Sequence, residues 1–330
     1  MMHSPLDRKS PKSEADRRLF DAYRKMFLIR TAEERLAQLY LKNKIMSFVH
    51  FCVGQEATAA GVSEALQPSD KMLGNHRSHG HYLAKGGDLR RMVCELLGKE
   101  AGSSRGKGGS MHMIDKSVNF IGSTPILGSI VPLASGVAFE QKFRRKNEIT
   151  VVFLGDGAFE EGVVYETLNL SGLFALPLLI VVENNLYSVN SPLAARRAPG
   201  HDVATIVKGF GATYRKADGN DFHDVAASAR DLIASVRSGK GPAVLECVVY
   251  RHMAHSAPIF DESVRQEDTV ERRAVTDPIK KLRAELVGKG AEEEVATIES
   301  GVTREVEDAI AFALEAPYPA RETLYKGLYD

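Results

Sequence analysis

The sequence predicts an α/β protein, a mostly parallel sheet with helices on both faces. Three observations carry this prediction. Ile149–Leu154 (ITVVFL) and Leu178–Glu183 (LLIVVE) are short, largely β-branched apolar runs, as expected of strands buried on both faces. A helix-length segment from about Glu161 to Phe174 joins them, giving the strand–helix–strand unit of parallel neighbours. A further run, Ala243–Tyr250 (AVLECVVY), supplies another strand downstream.

The remaining elements follow in chain order. Residues 1–17 are polar and read as a loose arm. From Leu19 to about Asn43, apolar residues recur at helical spacing: Leu19, Tyr23, Met26, Phe27, then Leu36, Leu39 and Tyr40. The polar stretch Arg30 to Arg35 interrupts that stripe. Residues 54–66 and Asp88 to about Leu97 read as two more helices. The stretch GSSRGKGGSMHM (102–113) is a loop by composition. It fails the P-loop template, because Gly108 follows Gly106-Lys107 and Ala101 stands five places before Gly106. From Asp277 the chain reads as helical until Pro317 and Pro319.

Composition narrows the function classes. The 330 residues include 43 Lys plus Arg and 43 Asp plus Glu, so the formal net charge is zero. No basic stripe argues for nucleic acid, and a neutral chain fits life in an assembly. No run of about 18 apolar residues predicts a membrane span. The N-terminus lacks the apolar stretch of a secretory signal. Cys52, Cys94 and Cys247 are scattered and form no CxxC pair, which argues against a zinc site or disulfide framework. A cytoplasmic protein with reduced thiols is expected.

Chemistry concentrates where the strands end. One run ends in Gly155-Asp156-Gly157, the next in Asn184-Asn185, the last in Arg251. Open α/β sheets bind ligands at such carboxyl ends. Asp156 and an Asn amide are hard oxygen donors suited to Mg²⁺ or Ca²⁺. Gly157 permits close backbone approach to a phosphate, and the following helix start favours an anion. Either dipeptide alone is more simply a turn or a cap. Paired at neighbouring strand ends, they favour a metal-bridged diphosphate. No GxGxxG follows a strand, so a nicotinamide dehydrogenase has no direct support.

The segment GDGAFEEGVVYETLNLSGLFALPLLIVVENNLYSVNSP (155–192) strongly resembles the thiamine diphosphate motif of the E1 alpha subunits of pyruvate, branched-chain 2-oxo-acid and acetoin dehydrogenases. GQEA (54–57), NHRSHGHYLAKGG (75–87), GKGGSMHM (106–113), ILGSIVPLASG (126–136), YRHMAHS (250–256), DPI (277–279) and APYPARETLY (316–325) resemble further blocks of that family, in order along the chain. The resemblance implies thiamine diphosphate and Mg²⁺ as cofactors, with residues 18–276 as the diphosphate-binding domain and 277–330 as its helical C-terminal segment. Asp156, Asn185 and the carbonyl of Tyr187 are the implied metal ligands. Arg77, His76 and the backbone of Gly157 and Ala158 are the implied diphosphate contacts. Ile126, Leu127 and Gly128 would meet the aminopyrimidine ring. His255 and, second, His79 are the implied catalytic histidines, a residue type whose pKa suits proton transfer near neutrality.

The resemblance also implies a partner. The carboxylate that the aminopyrimidine needs comes, in this family, from a separate beta subunit. An α2β2 heterotetramer is expected, acting on a small 2-oxo acid and passing the acyl unit to an acceptor such as the lipoyl group of an E2 protein. The chain departs from the family at Met253 and Ala254, where a histidine and a glycine are usual, and in the run APIFDESVRQ that follows Ser256. The alternative is a carboligase or split transketolase-like subunit with an aldehyde or sugar acceptor, to which Glu160-Glu161-Gly162 has some likeness. A non-catalytic scaffold is a third reading, against which Asp156, Asn185, Arg77 and His255 stand together.

Overall fold

A computed structural model describes residues 13–258 and 270–326. Helix α1 (Glu14–Leu41) opens with a capping box, Ser13 and Asp16 bonding each other's backbone N–H, a reciprocal arrangement that satisfies two free helix-end donors. The polar arm expected over 1–17 therefore gives way to helix at Glu14. The interruption at Arg30–Arg35 does not break the helix. Arg30 turns inward to Glu56 and Asp277, and Glu33 is fully buried.

Then follow α2 (Glu56–Glu64), β1 (Lys71–Gly74), α3 (His79–Ala84), α4 (Leu89–Leu96), β2 (Phe120–Ser123) and α5 (Ile130–Phe143). The central unit is β3 (Thr150–Gly155), a short α6 (Asp156–Phe159), α7 (Gly162–Leu173) and β4 (Leu178–Asn184). A small hairpin, β5 (Tyr187–Ser188) and β6 (Ser191–Pro192), leads through α8 (Leu193–Arg196) and α9 (Val203–Gly209) to β7 (Thr213–Asp218). The chain continues with α10 (Phe222–Arg237), β8 (Ala243–Val248), α11 (Val270–Thr276), α12 (Pro278–Gly288) and α13 (Glu292–Glu315).

Six strands form one sheet in the order β2-β1-β3-β4-β8-β7, every pair parallel. Successive side chains of a strand point to opposite faces, and here both faces are covered. Val151, Phe153, Leu179, Val181, Leu245 and Cys247 pack with α1, α4, α10 and α13. Val152, Leu154, Ile180, Val182 and Val244 pack with α5, α7 and α9. A smaller core joins α1 to α2 and α12 through Tyr23, Met26, Ala57 and Leu282.

The Gly-rich loop 102–109 is ordered from within. The buried carboxylate of Glu95 accepts four backbone N–H groups, from Ser104 at 2.7 Å, Gly106 at 2.9 Å, Gly108 at 2.7 Å and Gly109 at 3.1 Å. Gly106 has φ +70°, and a Cβ there would lie 2.4 Å from the Gly98 backbone. No described helix is long and apolar enough to cross a membrane.

Candidate functional site

Consecutive strands β1, β3, β4 and β8 deliver their carboxyl ends to one side of the sheet. The chain leaves β1 toward β2 on one side, whereas β3 leads to β4 on the other, so the crevice sits where the strand order reverses. A pocket opens there. It brings together His76, Arg77, Leu127, Asp156, Gly157, Ala158, Asn185, Tyr187 and His255, all singled out in the sequence.

Each side chain has a local cause. Asn75, just beyond β1, accepts the backbone N–H of Arg77 at 2.7 Å, a turn that aims the following residues into the crevice. Arg77 is almost fully buried and donates to the carbonyls of Phe51 at 2.9 Å and His255 at 2.7 Å. At β3 the backbone passes from strand into α6 at Asp156. Gly157 faces Ser188 so closely that a Cβ would lie 2.3 Å from its Oγ. The two asparagines part company. Asn184 is spent on the fold, donating to Glu246 at 2.6 Å and accepting from the N–H of Leu186 at 3.0 Å. Asn185 faces the pocket, its Oδ1 accepting from the N–H of Tyr187 at 3.2 Å.

The hairpin that carries Tyr187 is strained. Leu186 (φ 70°) and Val189 (φ 53°) both sit in the left-handed region, which is costly for a branched side chain. Tight bends on either side of Tyr187 are what hold its backbone over the Asp156–Gly157 turn.

Histidines form one wall. Ring centroids lie 4.5 Å apart for His50 and His76, 5.0 Å for His50 and His255, and 5.5 Å for His76 and His255. Burial, and then the charge of Arg77, lowers all three: His50 to about 4, His255 to about 3, and His76 well below its ordinary value. They are neutral at pH 7. Arg77 lies 3.1 Å from Nδ1 of His255 and can only donate, so that nitrogen accepts and Nε2 carries the proton. Both ring nitrogens of His76, one a donor and one an acceptor in the neutral ring, are buried without a hydrogen-bond partner among the described residues, which leaves its N–H for a ligand.

Asp156 pairs with Arg196, which also reaches Glu160, and Arg197 binds the other oxygen of Glu160 at 2.6 Å. Burial pushes the Asp156 carboxyl above its ordinary range while Arg196 pulls it down. An oxygen-donor set of carboxylate, amide and backbone carbonyl fits a hard dication. The close-packed Gly157 turn and the unpartnered His76 fit a diphosphate. The residues thus fit both groups, provided Asp156 exchanges Arg196 for metal.

Three expected residues stand elsewhere. His79 has no exposed surface and lies behind the pocket, bonded to Glu33 and Ser110, so no substrate reaches it. Ile126 is exposed at 70% and is not among the residues that line the pocket. Gly128 donates its N–H to Glu161 at 3.0 Å, so that donor is already engaged. Conversely, Gln55, Asn75, Glu183, Ser188 and Val189 line the pocket without having been singled out. Asn75 opens one of the matched blocks and Gln55 stands second in another, so both could have been found there. His50 and Arg196 come from segments with no spacing signal. Of the divergent run APIFDESVRQ, residues 259–266 lie outside the described residues.

Comparison with known proteins agrees with this geometry. Residues 24–322 match the family described as dehydrogenase E1 component. The pyruvate dehydrogenase E1 component subunit alpha of Rhizobium meliloti is 38% identical over 307 residues, covering 92% of this chain and 88% of the relative. Its counterpart from Zymomonas mobilis is 37% identical over 318 residues, 95% of this chain and 89% of the relative. The alpha subunit of an acetoin:2,6-dichlorophenolindophenol oxidoreductase from Cupriavidus necator is 37% identical over 333 residues, 98% of this chain and 96% of the relative.

Proposed function

The chain belongs to the dehydrogenase E1 component family, among alpha subunits of 2-oxo-acid dehydrogenases, and from that premise we propose that its pocket binds thiamine diphosphate with Mg²⁺ and works only with a beta subunit. The convergence of Arg77, Asp156, Asn185, Tyr187 and His255 at four adjacent strand ends carries this reading. Bound thiamine diphosphate supplies the nucleophilic carbon and electron sink that decarboxylation of a 2-oxo acid requires.

The chain's own residues hold and orient. Asp156, the Asn185 amide and the Tyr187 carbonyl would ligate the metal. As metal takes Asp156, Arg196 keeps its second contact, with Glu160, so no buried charge is stranded. Arg77, His76 and the backbone of Gly157 and Ala158 would take the diphosphate oxygens. His255 presents a neutral Nε2–H, fit to donate to an anionic oxygen of substrate without the cost of burying a second cation beside Arg77. Residues 18–276 form the cofactor domain in this reading and 277–330 its C-terminal segment, of which helices α12 and α13 pack against α1.

A partner is supported by the surface. α5 and α7 expose Leu133, Phe139, Phe143, Leu170, Leu173 and Phe174, with Phe139 and Phe174 meeting edge to face at 5.6 Å. Apolar residues grouped in this way mark an interface. Helix α5 begins three residues after Leu127 of the pocket lining, and we place on this face a contact of the α2β2 assembly. The acceptor of the acyl unit, a lipoyl group on an E2 protein in this reading, enters from the open side.

The test is dye reduction by the chain co-purified with its beta subunit, given thiamine diphosphate, Mg²⁺ and a panel of 2-oxo acids and acetoin. One substrate should reduce the dye, and Asp156→Ala should abolish the response. CO₂ release without dye reduction, or turnover only with an added aldehyde, would replace this reading with the carboligase one.

A further inference from the structure

Behind the pocket, Glu33, His79 and Ser110 form a hydrogen-bonded row in the order used by serine hydrolases. His79 Nδ1 lies 2.5 Å from Glu33 Oε1, and its Nε2 lies 2.9 Å from Ser110 Oγ. All three residues have no exposed surface, so neither water nor substrate arrives and hydrolysis is not their task. Their neighbours point to a different one.

The second oxygen of Glu33 accepts the backbone N–H of Cys52 at 2.7 Å. The same peptide unit offers its carbonyl, that of Phe51, to Arg77 at 2.9 Å. One amide plane therefore bridges the Glu33 carboxyl and the Arg77 guanidinium, and hydrogen bonds chained through an amide polarise one another. The path closes on itself, because His79, held by the other oxygen of Glu33, lies two residues after Arg77 in the chain. The ring runs from Arg77 along the backbone to His79, across to Glu33, to the Cys52 N–H, and from the Phe51 carbonyl back to Arg77. Ser110 ties the Gly-rich loop to this ring, and Glu95 orders that loop in turn.

We propose that Glu33 is a positioning residue for cofactor binding, fixing the direction of the Arg77 guanidinium through this closed ring, with His79 and Ser110 as its braces. The inference rests on the reading of the pocket as a thiamine diphosphate site. An arginine that must meet a diphosphate gains most from being preorganised, since its long side chain otherwise loses rotamer freedom on binding. The metal ligands Asp156, Asn185 and Tyr187 stand at the ends of β3 and β4 and on the hairpin, whereas the ring is built from α1, the stretch before α2 and the turn after β1. Glu33 should thus act on the diphosphate and leave the metal alone.

The experiment is calorimetric titration of the assembled alpha–beta complex, first with thiamine diphosphate at saturating Mg²⁺, then with Mg²⁺ at saturating cofactor. Glu33→Gln keeps one acceptor and replaces the other by a donor. It should weaken thiamine diphosphate by about tenfold, as loss of an orienting outer partner does, with Mg²⁺ half-saturation within about twofold of the unaltered complex. Ser110→Ala, a milder change that retains the ring, should weaken it by about threefold and serves if Glu33→Gln does not assemble. In an Arg77→Lys background the Glu33→Gln effect should vanish. Equal weakening of both ligands, additivity with Arg77→Lys, or no weakening would each overturn the proposal. Failure of the unaltered complex to bind thiamine diphosphate would instead overturn the reading of the pocket.

Discussion

Two glycine-rich turns in this chain look alike in sequence and do opposite things. The turn at 102–109 gathers four backbone N–H groups around a centre, as a phosphate-binding loop does, but the centre is already taken by the Glu95 carboxylate. The turn at Gly155–Gly157 is poorer in glycine and stands at the mouth of a pocket, its one carboxylate held by an exchangeable arginine. Glycine content reports only that backbone can come close to an anion. Whether the anion is internal or a ligand depends on a residue elsewhere, here Glu95 on the preceding helix α4.

The comparison can be broken at either turn. Emptying the open one should have the largest effect: Asp156→Ala should lower thiamine diphosphate-dependent dye reduction at least about 100-fold with the denaturation midpoint nearly unchanged. Emptying the filled one should act on stability. Glu95→Ala leaves four half-buried backbone donors without their acceptor and should cost about 3–5 kcal/mol in equilibrium denaturation, creating no phosphate site. A loss under about 1 kcal/mol would mean that the loop repacks and the likeness is superficial. Gly157→Ala should reduce cofactor affinity about tenfold by colliding with Ser188, and Ser188→Gly in the same chain should restore most of it.

The smallest effect concerns acid. His50 and His255 have pKa values depressed to about 4 and about 3 in the folded chain, against an ordinary 6.5 when unfolded. Above pH 6.5 both states are neutral and the site contributes its full stability. As pH falls from 6.5 toward 4 the unfolded chain takes up protons that the folded chain refuses, so stability declines. Thermal unfolding between pH 7 and 4 should show that slope, shallower in His50→Gln. An unchanged slope would remove His50 from the protonation balance.

Sequence and structure agree best where burial is continuous. β3 and β4 were legible because both of their faces are apolar, and Asp156 and Asn185 because they stand at the ends of those strands. β1 and β2 were not, being four residues each and flanked by polar groups. β7 is an edge strand with Arg215 and Lys216 exposed, and its pattern resembles a loop. Helix α10 carries Phe222, Val225, Ala229, Leu232 and Val236 at helical spacing and could have been read in advance. The polar interruption of α1 read as a weakness of that helix, yet Arg30 ties it to Glu56 and Asp277 and Glu33 holds His79 and the Cys52 N–H behind the pocket. His79 stands in a block shared with pocket residues yet lies buried behind the pocket, since a motif places a residue along the chain but not before or behind a wall.

The apolar face of α5 and α7 bears on how the chain is supplied. Newly made, it displays Phe143 at 80% and Leu173 at 76% exposure. Chaperones and proteases sort chains by such features. If the proposed partner covers this face, the chain's lifetime in a cell should be tied to the rate at which that partner is made. The cellular amount of the assembled enzyme follows whichever subunit is scarcer, a control on abundance that needs no regulatory site.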